Sequence, residues 1–208
     1  MRNKVGTLCM CMGTALVLGA LALFLWNYYE STEAKFHVTE VLPQIHQKVQ
    51  NAKDNTSENM EIIPDVPVEL LSEEDLVMTE LEIEGYPYIG YLTIPDLNLE
   101  LPVMADWSYP RLHISPCRYA GTARGEDLVI LAHNYKSHFG NLSKLSLGAS
   151  VMFTDMDGRV WNYEIVAIDV LEPVAVEEMT AGEYDLTLFT CTPGGSYRVT
   201  VRCDLRGS

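Results

Sequence analysis

Basic side chains are missing from a long part of this chain: no lysine or arginine occurs between residues 54 and 110, whereas acidic residues recur throughout. Over all 208 residues, 14 Lys and Arg stand against 29 Asp and Glu, which gives a formal net charge of −15. A chain this acidic offers no basic surface to a phosphate backbone, so nucleic acid is not expected as a partner. Because basic residues return at Arg111, we interpret the acidic part as a separate solvated segment.

The chain also lacks the cysteine pattern of a disulfide framework. Cys9 and Cys11 lie in an apolar N-terminal run, which leaves the odd set Cys117, Cys191 and Cys203. At least one of these three therefore stays free or pairs outside this part of the chain. Whether Cys117 and Cys203 pair depends on strand adjacency, which the sequence leaves open. Glycine-rich nucleotide motifs and metal-binding pair spacings are absent as well, so no cofactor is predicted.

Charge is absent again from residues 5–26, a run of 22 residues rich in Leu, Ala, Val and Gly. As a helix this run rises about 33 Å, enough to cross a hydrocarbon core of roughly 30 Å. Basic residues precede it and aromatic residues end it, which predicts a cytoplasmic tip at 1–4 and a membrane anchor at 5–29. The alternative is a cleaved signal peptide, which normally has a shorter apolar run and a small-residue cleavage site.

Residues 30–86 are predicted to form an acidic extracellular stalk. Apolar residues recur at helical spacing over residues 35–53, and Pro43 predicts a kink or break in that helix. Residues 51–67 have a composition typical of a loop. We interpret the region as a flexible stalk that holds the rest of the chain off the membrane. The alternative is a lid that packs over an active groove and pairs its acids with an arginine.

Residues 87–208 contain about eight short apolar segments separated by turn signals, with little helix between them. The segment Leu128-Val129-Ile130-Leu131-Ala132 is apolar throughout, as in a strand buried on both faces. This pattern predicts a mostly β fold, a closed or nearly closed barrel or sandwich. The predicted strands are residues 88–95, 99–104, 117–119, 127–134, 150–155, 160–170, 186–191 and 197–205.

The last two predicted strands bring a thiol and a cation to one face. Alternation of side chains places Phe189 and Cys191 together, and Arg198 and Thr200 together on the second strand. With the aliphatic residues turned inward, Cys191 and Arg198 share the outer face, above a groove floored by Phe189 and Thr200. Arg202 has the same parity but lies about 13 Å along the strand from Arg198, so Arg198 is preferred as the partner of Cys191.

His133 ends the buried strand, where its side chain can emerge into the same groove. A thiolate is a nucleophile, an imidazole can take up and return its proton, and a guanidinium can stabilise an oxyanion. Cys191, His133 and Arg198 therefore predict an acyl-transfer site. The structural alternatives are a buried strand-end cysteine, a core histidine and a surface arginine. A metal site of Cys191, His133 and His138 is a third possibility, with little support from the spacing.

Three segments resemble the sortases, the cysteine transpeptidases of Gram-positive bacterial surfaces. TLFTC at residues 187–191 is similar to their TLxTC signature, and LAHN at residues 131–134 to their strand-end histidine segment. Arg198, which opens Arg-Val-Thr-Val-Arg, is similar to the arginine of their final strand. The order His, Cys, Arg and the plan of anchor, stalk and catalytic part agree too. The resemblance covers residues 88–205.

The resemblance implies an eight-stranded sortase-type barrel with short helices, preceded by one transmembrane helix and a stalk. It implies that Cys191 attacks an LPxTG-like sorting signal of a surface protein and forms a thioacyl enzyme, which an amine such as that of a peptidoglycan precursor releases. His133 would be general acid and base, Arg198 would hold the oxyanion or the substrate backbone, and Thr190 would shape the groove. The implied location is the cell membrane, crossed once, with the N-terminus cytoplasmic and the catalytic part outside.

The chain departs from the family pattern in three places. The turn after Cys191 is short, the Asp-Pro-aromatic lid motif of pilus-building sortases is absent, and His133 is followed by Asn-Tyr-Lys-Ser-His. The compact chain indicates a class D-like or another small sortase, and the sequence leaves the class open. An idle, membrane-tethered barrel that only binds a peptide is the alternative function. Three acids can be Ca²⁺ ligands, as in some relatives, although a solvated loop is the expected interpretation: Glu177, Glu178 and Glu183.

Overall fold

The computed structural model describes residues 2–58 and 72–206, and this part contains nine strands and four α-helices. In chain order they are α1 (Arg2–Glu58), α2 (Glu73–Leu76), β1 (Leu81–Ile83), β2 (Tyr86–Ile94), β3 (Leu99–Met104), α3 (Tyr109–Leu112), β4 (Cys117–Ala120), β5 (Leu128–Leu131), β6 (Ser150–Asp155), β7 (Val160–Leu171), α4 (Val176–Thr180), β8 (Leu186–Cys191) and β9 (Arg198–Leu205). Strands β2 to β9 match the eight predicted strands, whereas β1, α2 and α4 were not predicted.

Strands β2 to β9 close into a barrel. Neighbouring strands follow the order β1-β2-β3-β4-β5-β8-β9-β7-β6, and an additional pairing between β2 and β6 joins the sheet to itself. The pairs β3–β4 and β5–β8 are parallel, and the others are antiparallel. Strand β1 pairs only with the start of β2 and lies outside the ring. The prediction of a mostly β, eight-stranded barrel with short helices is confirmed.

Barrel closure depends on a glycine in β2. Gly90 pairs with Val103 of β3 and with Asp155 of β6, next to a register shift in the β2–β3 ladder. Its φ is +151°, and an added Cβ would run into the carbonyl oxygen of Thr154. Only a residue without a side chain lets the two backbones approach this closely.

Helix α1 continues without interruption through Pro43, where the sequence predicts a kink or break. On either side of the proline, Val41 and Ile45 are buried in a cluster with Tyr88 and Met104 of the barrel. Because the helix is attached to the barrel before and after Pro43, packing offsets the hydrogen bond that proline cannot make. The loop predicted over residues 51–67 is wrong for residues 51–58, which are helical, and residues 59–67 lie outside the described residues.

The second half of α1 lies on the barrel instead of forming a free stalk. Ala34, Val41, Ile45 and Val49 are all at most 3% exposed, and their spacing forms one stripe of the helix. This stripe packs over β2 and β3. The apolar periodicity that predicts a helix here therefore also marks its barrel-facing side.

The first half of α1 is apolar and exposed. Helix α1 holds the one candidate membrane span of the described residues, Gly6–Asp54, whose most apolar window has a mean hydropathy of 2.4 and no buried part. By length and composition this helix can cross a bilayer. The anchor at residues 5–29 stays a prediction that this finding favours.

Candidate active site

Strand order brings His133 next to Cys191. Strands β5 and β8 are parallel neighbours, and their register pairs Leu131 with Phe189. Two residues farther along the chain lie His133, just after the end of β5, and Cys191, the last residue of β8. Since adjacent strands run about 4.8 Å apart, the backbones of the two predicted catalytic residues lie near each other at one end of the barrel.

Hydrogen bonds hold these two strand ends together on both sides of the pair. Before Cys191, the Thr190 hydroxyl donates to the carbonyl of Ala132 at 2.7 Å. After it, the Asn134 side-chain amide donates to the carbonyl of Thr192 at 3.4 Å. The threonine of the TLFTC segment therefore fixes the distance between the two strand ends, and its hydroxyl does not point into a groove.

The antiparallel register of β8 and β9 pairs Cys191 directly with Arg198. Residues opposite each other in such a ladder project to the same face of the sheet. The Arg198 guanidinium donates to the carbonyls of Gly195 and Tyr197, at 3.1 and 3.2 Å, so it lies at the β8–β9 hairpin. A permanent positive charge is thus held on the Cys191 side of the barrel.

Arg202 has a different environment. It pairs with Thr187 at the far end of the ladder and is 5% exposed. Its guanidinium donates to the Thr187 hydroxyl at 3.1 Å and to the carbonyl of Glu178 at 2.7 Å, and it lies 3.8 Å from the Asp169 carboxylate. These partners make Arg202 a structural arginine that joins α4 to the barrel.

The predicted groove floor is covered. Phe189, Thr190 and Thr200 are at most 3% exposed. Phe189 does project to the outer face as predicted, but it packs there with Val129 and with Met179 of α4. The five-residue helix α4 is too short to show a periodic pattern in the sequence. The sequence therefore predicts an open groove over Phe189, where the structure places α4.

Burial and a second histidine lower the pKa of His133. Its ring centroid lies 4.6 Å from that of His113 and 4.9 Å from that of Tyr135. Desolvation disfavours the charged imidazolium, the His113 charge adds to this effect, and Glu30 opposes it. Nε2 of His133 has no hydrogen-bond partner among the described residues. Near neutral pH, this nitrogen can therefore accept a proton.

His138, the other histidine of this segment, is fully buried. Burial lowers the pKa of its imidazole to about 4, and its closest ring neighbour is Tyr135 at 5.6 Å. A neutral imidazole closed off from solvent is not suited to exchange protons with a substrate. His133 is therefore the better placed acid–base group.

Cys191 is the one partly exposed thiol of the barrel. Cys117 and Cys203 are free and fully buried, which answers the open question of their pairing. Burial raises the pKa of Cys117 to about 12 and also raises that of Cys203. Because the thiolate is the reactive form, these two thiols are inert compared with Cys191.

Three residues that the sequence did not indicate lie next to His133. The Tyr135 hydroxyl is 2.9 Å from Nδ1 of His113 and donates to the carboxylate of Glu30 at 3.3 Å. The connector therefore reaches the active end of the barrel, as in the lid alternative, but its acid binds a tyrosine and not an arginine. These residues are far apart in the chain, so no local pattern could have brought them together.

The acids considered as Ca²⁺ ligands border a surface pocket that Arg202 also lines. A guanidinium at this position opposes a bound cation. Among the described residues, one group of three potential ligands has its ligand atoms within 4.8 Å of one another, and it belongs to α1 and the β1–β2 turn: His37, Glu40 and Glu84. The acids at the other pocket form no such group: Glu177, Glu178 and Glu183.

Comparisons with known proteins agree on one family. A family model described as the sortase domain matches residues 92–206, more than half of the chain. Sortase A of Streptococcus agalactiae serotype III (strain NEM316) is 28% identical over 155 residues, which cover 66% of this chain and 61% of the relative. The chain thus spans about three fifths of the length of that relative.

Solved structures show the same fold. A Clostridium perfringens sortase D5 transpeptidase superposes with a TM-score of 0.60 at 19% identity, over 82% of this chain and 99% of that one. The Clostridium perfringens sortase C with the C-terminal cell wall sorting motif gives a TM-score of 0.55 at 21% identity, over 82% and 98%. At these identities the likeness concerns the barrel and its topology.

Proposed function

Because the chain belongs to the sortase family, whose members are cell-wall transpeptidases, we propose that it is a membrane-anchored cysteine transpeptidase of the thiol peptidase type. In this proposal it cleaves a C-terminal LPxTG-like sorting signal and transfers the protein to a cell-wall amine. The observation that supports the proposal is the strand register. Leu131 pairs with Phe189, two residues before His133 and Cys191, and Cys191 pairs with Arg198 of β9.

The proposed reaction begins when Nε2 of His133 takes the proton of the Cys191 thiol. The thiolate attacks the threonine carbonyl, and Arg198 stabilises the negative oxygen of the tetrahedral intermediate. As the Thr–Gly C–N bond breaks, His133 returns the proton to the leaving amine, which leaves a thioester on Cys191. An acceptor amine then attacks the thioester, gives a proton to His133, and restores the thiol as the new amide forms.

The proposed partners follow from this chemistry. They are surface proteins that end in a sorting signal, an amine such as that of a peptidoglycan precursor, and the membrane. The sorting motif in the similar Clostridium perfringens sortase C supports the first of these. We place residues 1–4 in the cytoplasm, 5–29 in the membrane, the acidic linker 30–86 and the catalytic barrel 87–208 outside. The exposed apolar half of α1 supports this arrangement.

The central experiment is a search for the thioacyl intermediate. The full-length protein in detergent micelles is mixed with a panel of LPxTG-like peptides, and intact and peptide-level mass spectrometry follow. We expect the mass of the peptide up to its threonine to appear on Cys191 and to disappear when hydroxylamine or an acceptor amine is added. Peptide binding without an adduct on Cys191 would instead identify the idle, peptide-binding barrel.

Exchanging each arginine of β9 for glutamine should show which of Arg198 and Arg202 stabilises the oxyanion. Arg198→Gln is expected to lower kcat/KM for the peptide by about 10²–10³-fold with little change in melting temperature, because an oxyanion donor is lost. Arg202→Gln is the matched control on the same strand. It should retain the rate but lower the free energy of unfolding by about 1–3 kcal/mol, because buried hydrogen bonds are lost. The reverse pattern would assign the role to Arg202.

A further inference from the structure

The anchor helix is attached to the loop that carries His133. Glu30 follows the apolar half of α1, and its carboxylate accepts a hydrogen bond from the Tyr135 hydroxyl at 3.3 Å. One residue later, the carbonyl of Ser31 accepts a hydrogen bond from the Ser137 hydroxyl at 3.3 Å. Tyr135 is only 7% exposed, so its hydroxyl meets Glu30 at a largely buried point. The helix that leaves the predicted membrane span therefore contacts residues two and four positions after His133.

Two rings enclose the imidazole of His133. His113, from the loop after α3, lies at 4.6 Å between centroids, and Tyr135 lies at 4.9 Å. These two rings are joined to each other by the 2.9 Å contact between Nδ1 of His113 and the Tyr135 hydroxyl. The Tyr135 hydroxyl has a single hydrogen, so its donation to Glu30 requires the His113 tautomer that carries a proton on Nδ1. A continuous chain of hydrogen bonds thus runs from His113 through Tyr135 to α1.

We propose that Glu30, Tyr135 and His113 are positioning residues for His133, so that docking of the anchor helix on the barrel completes the catalytic site. The catalytic role of His133 in this proposal rests on the proposed function, whereas the contacts of its ring are independent of that function. The hydrogen bonds hold His113 and Tyr135 in place, and the contacts of these two rings restrict the imidazole of His133. Its Nε2 makes no hydrogen bond within the part of the chain that the structure describes. A base whose ring is restricted in this way loses less freedom when it takes the proton of Cys191, at the end of the neighbouring strand.

The same arrangement sets the charge around His133. Groups of opposite sign act on it: Glu30 favours the imidazolium, and His113 disfavours it, in the same direction as burial. Docking of α1 therefore brings a carboxylate that partly offsets the desolvation of His133. Ionisable groups around this region come from α1, the loop after α3, β8, β9 and the segment of His133 itself: Glu30, Glu33, His37, His113, Cys191, Arg198, Tyr135 and His138.

The test is a direct titration of His133 in the full-length protein in micelles, by NMR of its labelled imidazole, assigned with His133→Gln. Glu30→Gln should lower the pKa of His133, because a favourable charge is removed. His113→Gln should raise it, because an unfavourable charge is removed. The pH dependence of peptide cleavage should move in the same two directions. Glu40→Gln, the same substitution ten residues along α1, should leave the titration unchanged.

A third variant separates positioning from charge. Tyr135→Phe keeps the ring beside His133 but removes the hydroxyl that joins His113 to Glu30, and it should lower kcat about tenfold with KM little changed. Shifts of equal sign in Glu30→Gln and His113→Gln, or a Glu40→Gln shift as large as that of Glu30→Gln, would overturn the proposal. Because the titration needs no turnover, opposite shifts in a protein that cleaves no peptide would refute only the proposed function.

Discussion

Cys191→Ala should lower thiol-dependent cleavage of a sorting-signal peptide by about 10⁴-fold or more, because the reaction loses its nucleophile. No other thiol of the barrel can replace it, since Cys117 and Cys203 are fully buried and burial raises the pKa of each. The fold should persist, because Cys191 lies at a strand end and is partly exposed. Single-turnover cleavage, intact mass and circular dichroism of the same preparation measure the three consequences.

The matched control for this substitution is Cys117→Ala. It removes one sulfur from the packed cluster under α1 and should cost about 1–2 kcal/mol of stability. The folded fraction should cleave peptide at the original rate and still carry the acyl group on Cys191. If Cys191→Ala cleaved at the original rate, or if Cys117→Ala removed the adduct, Cys191 would not be the nucleophile.

His133→Gln should have the second-largest effect, a loss of about 10²–10⁴-fold in kcat/KM, because the reaction loses its proposed general acid and base. Burial and His113 lower the pKa of His133 below its ordinary value of 6.5. The imidazole is therefore mostly neutral, and able to act as a base, already at pH 6.5. Cleavage by the unmodified protein should therefore fall as the pH drops below that value. The residual activity of the variant should lose this dependence on the imidazole.

His138→Gln provides the comparison for His133→Gln. His138 is fully buried, so this change should lower thermal stability, while the folded fraction keeps its rate and its pH dependence. Stability and rate are measured on the same samples, by calorimetry and by initial velocities across pH. A folded His138→Gln protein that lost both rate and pH dependence would move the acid–base role to His138.

The sequence by itself determined the barrel strands and the Cys191–Arg198 pair. Both follow from local rules: side chains alternate along a strand, and a hairpin joins two strands whose facing residues lie seven positions apart. The apolar run of β5 likewise located His133 at a strand end. The reaction came from the resemblance of these segments to sortases, which the family model supports.

The tertiary structure alone decided which distant residues meet. The parallel pairing of β5 with β8 joins His133 to Cys191 across 58 residues of chain, and no local periodicity encodes strand order. Helix α1 illustrates the same point: Pro43 predicts a break, yet packing of Val41 and Ile45 keeps the helix continuous. The contact of Glu30 with Tyr135 depends on the packing of α1 against the barrel. The hydrophobic effect that drives this packing has no direction, so the position of α1 is fixed only by the shapes of the two surfaces.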